Sequence, residues 1–359
     1  MSFSAEDVNE MILTCFKACQ KSIALEAGKG YHLFDKVQKK IFDPRLRGDL
    51  QSFGIVPHTL PEWAIPIYLK VKNKRFARIM LQPIPYRSDL MDMGPLFKTR
   101  GVQVKFYNFK DKQVLCAGVS DSMAFAKAKN EADIYSRYLS VKSIPKIIER
   151  ISENIYIREF YKGSRVSVCG LDVMKGLIDD LVEVYLSDRV QAVVARDYFQ
   201  DLTKDIMPEL QEEIYAKLQN IVLNNIKHVF LVRVHGDFAA KNIISSVNKT
   251  LLIDWERSSC KSCFYDIGNF IFKQSGHDKD LLWKRMWKDS MLEYFIREIE
   301  AKLGVSISGQ RHALYALFLL ERLSLEKELY QEDIKRYKTF QKTWLHNVDI
   351  FLSLLDGEA

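Results

Sequence analysis

The sequence predicts an α+β protein with two lobes, a small N-terminal lobe rich in strands and a larger C-terminal lobe that is mainly helical. Two observations predict this class. Short alternating apolar segments punctuated by glycine and proline dominate residues 61–163, whereas long segments with apolar residues at helical spacing dominate from residue 171 onward. Of the 359 residues, 47% are hydrophobic, which is enough to bury a sizeable core.

An extra helical segment is predicted ahead of the N-terminal lobe, within residues 1–60. Ser4 and Asp7 have the spacing of a capping box, and apolar residues then repeat at helical spacing until the sequence GKG at 28–30. The predicted N-lobe covers residues 61–163 and the predicted C-lobe covers residues 164–359.

The N-lobe is predicted to contain a series of strands interrupted by one helix. The helix covers residues 121–139, because Phe125, Ala128, Ala132 and Tyr135 form an apolar stripe. The predicted strands are IPIYLKV (65–71), RFARIMLQPI (75–84), GVQVKFYNF (101–109), IPKIIER (144–150) and NIYIREF (154–160).

Charge and cysteine content exclude several classes of protein. The net charge of +7 is concentrated in residues 1–120, which hold 19 Lys and Arg against 11 Asp and Glu. Basic runs such as KVKNKRFAR lack the interleaved aromatic residues of a single-strand binder, so no nucleic acid is predicted and contact with an anionic surface stays open. Six cysteines, no membrane-length apolar run and an acidic, polar N-terminus predict a cytoplasmic protein without a transmembrane segment.

The stretch VHGDFAAKNIISSVNKTLLIDWE (234–256) carries the most chemistry. Asp237 follows a predicted strand, Asn242 comes five residues later, and Asp254 ends a second strand twelve residues further on. A hairpin between the strands lets Asn242 and Asp254 converge beside Asp237. Phosphoryl transfer needs a carboxylate to orient the attacking hydroxyl and oxygen ligands to hold magnesium, and this stretch offers one base and two metal ligands.

HGDFAAKN and LLIDWE resemble the HGDxxxxN and IDxE motifs of the aminoglycoside phosphotransferase and choline kinase family, whose fold is similar to that of protein kinases. The later YDIGNF (265–270) resembles the Asp-Ile-Gly-Asn segment of choline and ethanolamine kinases. The resemblance implies a protein-kinase-like fold, ATP and Mg2+ as cofactors, Asp237 as catalytic base, and Asn242 and Asp254 as metal ligands. It also implies that His235 organises the loop and that Asp266 ties the loop down. The residues alone leave two alternatives open, a core histidine for His235 and a helix N-cap for Asp266.

The nucleotide would be held in the N-lobe. Lys105 on its strand and Glu131 on the next helix have the order and spacing of the Lys and Glu that form an ion pair over the phosphates in kinase-like folds. The main chain of Glu159, Phe160 and Tyr161 would read the adenine edge. The sequence departs from the family because no Gly- and Ser-rich loop precedes Lys105, so a catalytically idle kinase-like binding module remains an alternative.

The acceptor is predicted to be the hydroxyl of a small molecule. Only eleven residues, Trp255 to Tyr265, separate Asp254 from Asp266, which leaves no room for the long segment on which protein kinases lay a peptide. An amino alcohol, an aminoglycoside and an envelope sugar all stay open as acceptors. A kinase acting on a macromolecule is the further alternative.

Overall fold

The computed structural model describes residues 31–35, 40–42, 81–85, 96–100, 103–108, 113–118, 122–161, 164–165, 171–204, 206, 212–245, 249–275, 282, 290–329 and 334–356. The chain divides into two compact units. Unit 1 covers residues 1–164 together with 244–249, and unit 2 covers residues 165–243 together with 250–359. Unit 1 is rich in strands and unit 2 is mainly helical, so the predicted α+β class is confirmed.

Unit 1 is built on an eight-stranded sheet whose neighbouring strands all pair antiparallel. In chain order its strands are β1 (Tyr31–Asp35), β2 (Lys40–Phe42), β3 (Leu81–Pro85), β4 (Leu96–Arg100), β5 (Gln103–Asn108), β6 (Gln113–Gly118), β7 (Ile147–Arg150) and β8 (Ile155–Glu159). Their order across the sheet is β3-β1-β2-β4-β5-β6-β8-β7.

Strands β1 and β2 fall within residues 1–60, where the sequence predicts a helical extension. Both strands pair in the sheet of unit 1, so the extension is not helical throughout, and its backbone hydrogen bonds go to neighbouring strands instead. The helix predicted before GKG and the strand predicted over IPIYLKV lie outside the described residues. The strands predicted near 101–109, 144–150 and 154–160 are confirmed as β5, β7 and β8.

Helix α1 (Ser122–Arg137) packs against the sheet of unit 1 and confirms the helix predicted over 121–139. Ala128 and Ala132 on α1 are fully buried with Val114 and Cys116 of β6. Small alanine side chains let a helix approach a sheet closely, and the apolar side chains of β6 fill the contact. Helix α1 and the sheet of unit 1 therefore share one apolar core.

Unit 2 consists mainly of helices around a core of large apolar side chains. The helices are α2 (Leu171–Ser187), α3 (Ala195–Thr203), α4 (Glu212–Asn225), α5 (Tyr265–Ser275), α6 (Ser290–Leu303), α7 (Arg311–Leu329) and α8 (Ile334–Asp356). Helix α7 lies at the centre, because it packs against α3, α4, α5 and α8, and its residues Ala313 to Leu320 are all buried. A helical segment that is apolar on every face, as Ala313 to Leu320 is, is the kind expected at the centre of a helical unit.

A three-stranded antiparallel sheet in unit 2 carries the segment with the chemical motif. Its strands are β10 (Gln191–Val194), β11 (His228–Val234) and β14 (Ser259–Ser262), with β11 in the middle. The short strands β12 (Ile243–Ser245) and β13 (Thr250–Leu252) lie between β11 and β14 along the chain, and β9 (Ser164–Arg165) precedes α2. Strands β12 and β13 fall within residues 234–256, where the sequence predicts a hairpin. Among the described residues, no helix is long and apolar enough to cross a membrane.

Candidate active site

The loop that follows β11 positions the predicted catalytic residues. Strand β11 ends at the fully buried Val234, and the loop then runs from His235 to a short 3-10 turn at Ala240–Asn242. The Ser258 hydroxyl donates a hydrogen bond to the Val234 carbonyl at 2.7 Å, so the strand end is fixed to the turn that follows β13. The loop therefore starts from a rigid, buried point.

His235 is a buried histidine whose two ring nitrogens both have partners. Its Nδ1 accepts the backbone N–H of Asp237 at 3.1 Å, and its Nε2 lies 3.0 Å from the Ile253 carbonyl oxygen. Because a carbonyl only accepts, Nε2 carries the proton. The ring thus joins the backbone of Asp237 to the residue preceding Asp254. The two interpretations of His235, a core histidine and an organiser of the loop, are therefore compatible. The buried ring has a partner at both nitrogens, and these contacts orient the loop.

Asp266 binds the loop and does not cap its own helix. It lies in the first turn of α5 and is fully buried. Its carboxylate accepts the backbone N–H of His235 at 2.7 Å, the N–H of Gly236 at 3.0 Å and the Tyr185 hydroxyl at 3.0 Å. Burial raises the pKa of this carboxyl group, and His235 and the backbone N–H groups act in the opposite direction. The N-cap alternative for Asp266 is therefore wrong, because the side chain points to the loop.

We expect Asp266→Asn to lower the free energy of unfolding by about 2–3 kcal/mol, because the amide replaces an acceptor oxygen and leaves a buried backbone N–H unsatisfied. Chemical denaturation followed by circular dichroism measures the loss. Asp349→Asn, on the exposed side of α8, is the matched control and should change stability by less than about 0.5 kcal/mol. Equal stability of the two variants would contradict the role assigned to Asp266.

Gly236 has a backbone conformation that other residues rarely adopt. Its φ is 82°, and a Cβ atom built on it would lie 2.2 Å from the carbonyl oxygen of Arg257. The loop thus approaches the turn after β13 more closely than any side chain allows, which explains the glycine between His235 and Asp237.

Asp237 is a buried, ionised carboxylate, and one of its two oxygen atoms lacks a hydrogen-bond partner. Its Oδ2 accepts the Lys241 ammonium at 2.7 Å and the Asn242 side-chain amide at 3.2 Å. Its Oδ1 is buried without a hydrogen-bond partner. Burial by itself raises the pKa of this group, but Lys241, Arg257 and Arg322 outweigh it and hold the pKa well below its usual range. The carboxylate is therefore a weak base with an acceptor atom available for a ligand hydroxyl.

Asn242 and Asp254 are brought to the same side of the loop by the pairing after the 3-10 turn. The Asn242 carbonyl accepts the N–H of Ile253 at 2.9 Å, so Asp254 directly follows a residue bound to Asn242. The Asn242 amide nitrogen donates to the Asp237 carbonyl oxygen at 2.8 Å, so the amide oxygen is the atom that could bind a metal ion. Asp254 has φ 65°, a left-handed conformation that aspartate tolerates better than most residues.

This donor set fits magnesium. An amide oxygen and a carboxylate are hard ligands of the kind that Mg2+ takes while keeping water and phosphate oxygens in its remaining positions. The unpartnered Oδ1 of Asp237 is a third oxygen in the same loop. Asn242 and Asp254 would hold the ion, and Asp237 would remain available for the acceptor.

A group of buried charges next to Asp237 was not predicted from the sequence. Arg257 donates to Glu326 at 2.9 Å, and Arg322 pairs with the same carboxylate oxygen. Burial raises the pKa of Glu326, but Arg322 and Arg257 outweigh it and lower the pKa of that carboxyl group. Arg322 and Glu326 lie one turn apart in α7, shortly after the apolar run from Ala313 to Leu320, and this pair of opposite charges at helical spacing was the available signal.

In unit 1, Glu131 is buried on α1 and its described hydrogen bonds go to two tyrosines. Its Oε1 accepts the Tyr135 hydroxyl at 2.8 Å and its Oε2 accepts the Tyr156 hydroxyl at 2.6 Å. Lys105 lies on β5 opposite Cys116 of β6, and Cys116 lies opposite Tyr156 of β8, so the three form one cross-strand row. The side chain of Lys105 lies outside what the structure describes, and its ion pair with Glu131 stays a prediction.

The predicted hinge residues follow the end of β8. The backbone N–H of Glu159 donates to the Lys146 carbonyl at 2.9 Å, and its carbonyl accepts Arg158 at 3.0 Å. The Lys249 ammonium donates to the Tyr161 hydroxyl at 3.0 Å and lies 4.5 Å from the centre of its ring. The contact of the main chain of Glu159, Phe160 and Tyr161 with adenine stays a prediction.

Residues 139–304 match the model of the ecdysteroid kinase-like family. This stretch is just under half of the chain and contains every motif residue from His235 to Asp266. The match confirms the resemblance to kinase-like phosphotransferases that these motifs indicate. No curated protein matches the chain.

Solved structures with similarity to the chain include three phosphotransferases. A choline kinase from Cryptosporidium parvum Iowa II is 15% identical, with 71% of this chain and 87% of that chain covered and a TM-score of 0.46. A Plasmodium vivax ethanolamine kinase is 14% identical, with 86% and 95% covered and a TM-score of 0.47. A macrolide 2'-phosphotransferase from Brachybacterium faecium is 10% identical, with 68% and 86% covered and a TM-score of 0.49.

Proposed function

We propose, on the premise that the chain is a kinase-like phosphotransferase, that it transfers the γ-phosphate of ATP to a hydroxyl group of a small molecule. The arrangement that carries this proposal is the buried Asp237 with one unpartnered carboxylate oxygen, bound to Asn242 and joined through His235 to the residue before Asp254. Phosphoryl transfer depends on positioning and electrostatics more than on covalent chemistry, and this arrangement supplies both.

Each residue of the loop has one role in the proposed reaction. The Oδ1 atom of Asp237 accepts a hydrogen bond from the acceptor hydroxyl and so orients the attacking oxygen. Because the pKa of Asp237 is low, the carboxylate takes the proton only as the new P–O bond forms. Asn242 and Asp254 would hold Mg2+, and the bound ion would neutralise negative charge on the phosphate groups. Asp266 and His235 keep the loop in this geometry.

The segment between Asp254 and Asp266 supports a small acceptor. It contains the 3-10 turn Trp255–Arg257 and then β14, which pairs with β11 along its whole length. Glu321 of α7 fixes this strand, because its carboxylate accepts both the backbone N–H and the hydroxyl of Ser262 at 2.7 and 2.6 Å. A segment fixed as a sheet strand does not provide a surface on which an extended peptide lies, which disfavours a macromolecular acceptor.

The proposed function is tested by measuring ATP consumption by the full chain with Mg2+ against amino alcohols, aminoglycosides, sugars and an ecdysteroid. One acceptor class should raise ATP consumption above the acceptor-free rate and should carry the phosphate on a hydroxyl. Removal of Mg2+ by a chelator should abolish this turnover. Labelling of a mixed peptide library without turnover of any small molecule would contradict the proposal.

Lys105 is proposed to contact the nucleotide phosphates. We expect Lys105→Ala to lower kcat/KM for ATP by about 10- to 100-fold, because a hydrogen bond between charged groups contributes about 1.5–3 kcal/mol. Steady-state kinetics at varied ATP concentration measures the change. Lys98→Ala is the matched control, because Lys98 lies opposite Lys105 on the neighbouring strand β4. A larger effect of Lys98→Ala than of Lys105→Ala would show that Lys105 is not the lysine that contacts the phosphates.

We also propose a cytoplasmic location. Cys260 and Cys263 are free thiols, as is usual in a reducing compartment, and a kinase needs the ATP that the cytoplasm supplies.

A further inference from the structure

Four cationic side chains of unit 2 lie around Asp237, and we call them the basic cluster: Lys241, Arg257, Lys273 and Arg322. Lys241 contacts Asp237 directly, and both arginines act on the pKa of Asp237. Lys241 pairs with Asp237, and both arginines pair with Glu326.

Arg322 has hydrogen-bond donors that its described surroundings do not satisfy. The side chain is 1% exposed, and one terminal nitrogen pairs with Glu326. Its Nε and its Nη1 are buried without a hydrogen-bond partner. The Tyr265 hydroxyl is nearby, and the guanidinium carbon lies 5.8 Å from the centre of the Phe340 ring. Burying the N–H donors of a guanidinium without hydrogen bonds costs free energy. An oxygen atom supplied by a ligand would therefore stabilise this site.

Lys273 lies on α5 next to the loop that carries Asp237. It follows Asn269 by one turn of α5, and the Asn269 amide donates to the Phe238 carbonyl of the catalytic loop at 2.9 Å. Residues four apart share a helix face, so Lys273 lies on the side of α5 next to the loop. The side chain keeps contact with solvent, yet burial, followed by Arg322, lowers its pKa to about 8.

We propose that the basic cluster binds an anionic oxygen group of the acceptor, next to the hydroxyl that Asp237 orients. This inference rests on the proposed function and narrows the acceptor class. The N–H donors of Arg322 that lack a partner among the described residues, and the exposed ammonium of Lys273, match carboxylate, sulfonate or phosphate oxygens. A quaternary ammonium or a polycation would be repelled by these two side chains. The terminal phosphate of ATP has the same chemistry, and the test separates the two sources.

Three probes that share one hydroxyethyl group and differ in charge test the inference: isethionate with a sulfonate, 3,3-dimethylbutan-1-ol with a neutral tert-butyl group, and choline with a trimethylammonium group. Binding to the full chain is measured by calorimetry or ligand-observed NMR without nucleotide, so the result does not depend on turnover. Isethionate should bind at least about tenfold more tightly than the neutral alcohol, and choline should bind least tightly.

Variants of the cluster identify which residues carry the preference. Lys273→Met and Arg322→Gln should each remove most of the advantage of isethionate over the neutral alcohol. Lys217→Met is the matched control, because Lys217 pairs with Glu213 on the exposed surface of α4 and lies outside the cluster. If Arg322→Gln fails to fold, Lys273→Met alone decides, because its exposed side chain is removable without leaving a buried charge unpaired. Binding of Mg-ATP is measured in parallel and should stay within about threefold of the parent, since no charged contact to the nucleotide is removed.

Tightest binding of choline, or equal binding of the three probes, would overturn the inference. A loss of Mg-ATP affinity in Lys273→Met with unchanged isethionate binding would also overturn it, because the cluster would then serve the nucleotide. Absence of ATP turnover with every acceptor, together with a retained preference for isethionate, would contradict the proposed function and leave the anion site standing.

Discussion

Asp237→Asn is expected to reduce the turnover number for phosphoryl transfer at least about 100-fold, the usual contribution of a positioned general base. The substitution keeps the size of the side chain, so Lys241 and Asn242 retain a neighbour at the same place. It removes the negative charge that accepts the proton of the acceptor hydroxyl. Single-turnover kinetics with saturating Mg-ATP and acceptor measures the chemical step directly.

The control for this prediction is nucleotide binding. Mg-ATP affinity of Asp237→Asn should stay within a few-fold of the parent, because Asn242 and Asp254 hold the metal in the proposed site. Asp349→Asn makes the same chemical change on the exposed face of α8 and should leave turnover unaltered. A turnover number for Asp237→Asn within about tenfold of the parent would remove Asp237 from the reaction, since the smallest typical effect of a general base is larger.

Asp254→Asn is expected to weaken Mg-dependent ATP binding by at least about tenfold, because the metal loses a charged ligand. At this position asparagine tests the role of the charged ligand better than alanine does. Asp254 has φ 65°, and asparagine tolerates this left-handed conformation, whereas alanine would add backbone strain of roughly 1–2 kcal/mol. Calorimetry with ATP in the presence and absence of Mg2+ measures the change.

Asn242→Ala should weaken Mg-dependent binding less than Asp254→Asn, because the amide is a neutral ligand. Its effect on folding is checked separately, since the Asn242 amide also donates to the backbone and side chain of Asp237. If the parent, Asp254→Asn and Asn242→Ala bound ATP with the same affinity and the same dependence on Mg2+, the metal site would have to lie elsewhere in the chain.

The sequence by itself determined the local geometry of the catalytic loop. Gly236, Asp237 and Asn242 fall within eight residues, and a strand, a turn and a hairpin fix their relative positions through short-range backbone bonds. The strand-rich and helical parts were also predictable, because apolar periodicity reports locally on secondary structure. Asp266 was placed near the loop by its motif, although which backbone groups it binds was visible only in the structure.

Only the tertiary structure decided which distant charges meet Asp237. Arg322 and Glu326 lie 85 and 89 residues after Asp237, and nothing in their local sequence specifies that α7 packs beside the loop. The same holds for Glu131, whose predicted partner was Lys105 and whose described hydrogen bonds go to Tyr135 and Tyr156. Local sequence sets turns and periodicity because these depend on neighbouring dihedral angles. The burial of charges, their pairing and their pKa values depend on packing between segments that are far apart in the chain, and folding alone brings those segments together.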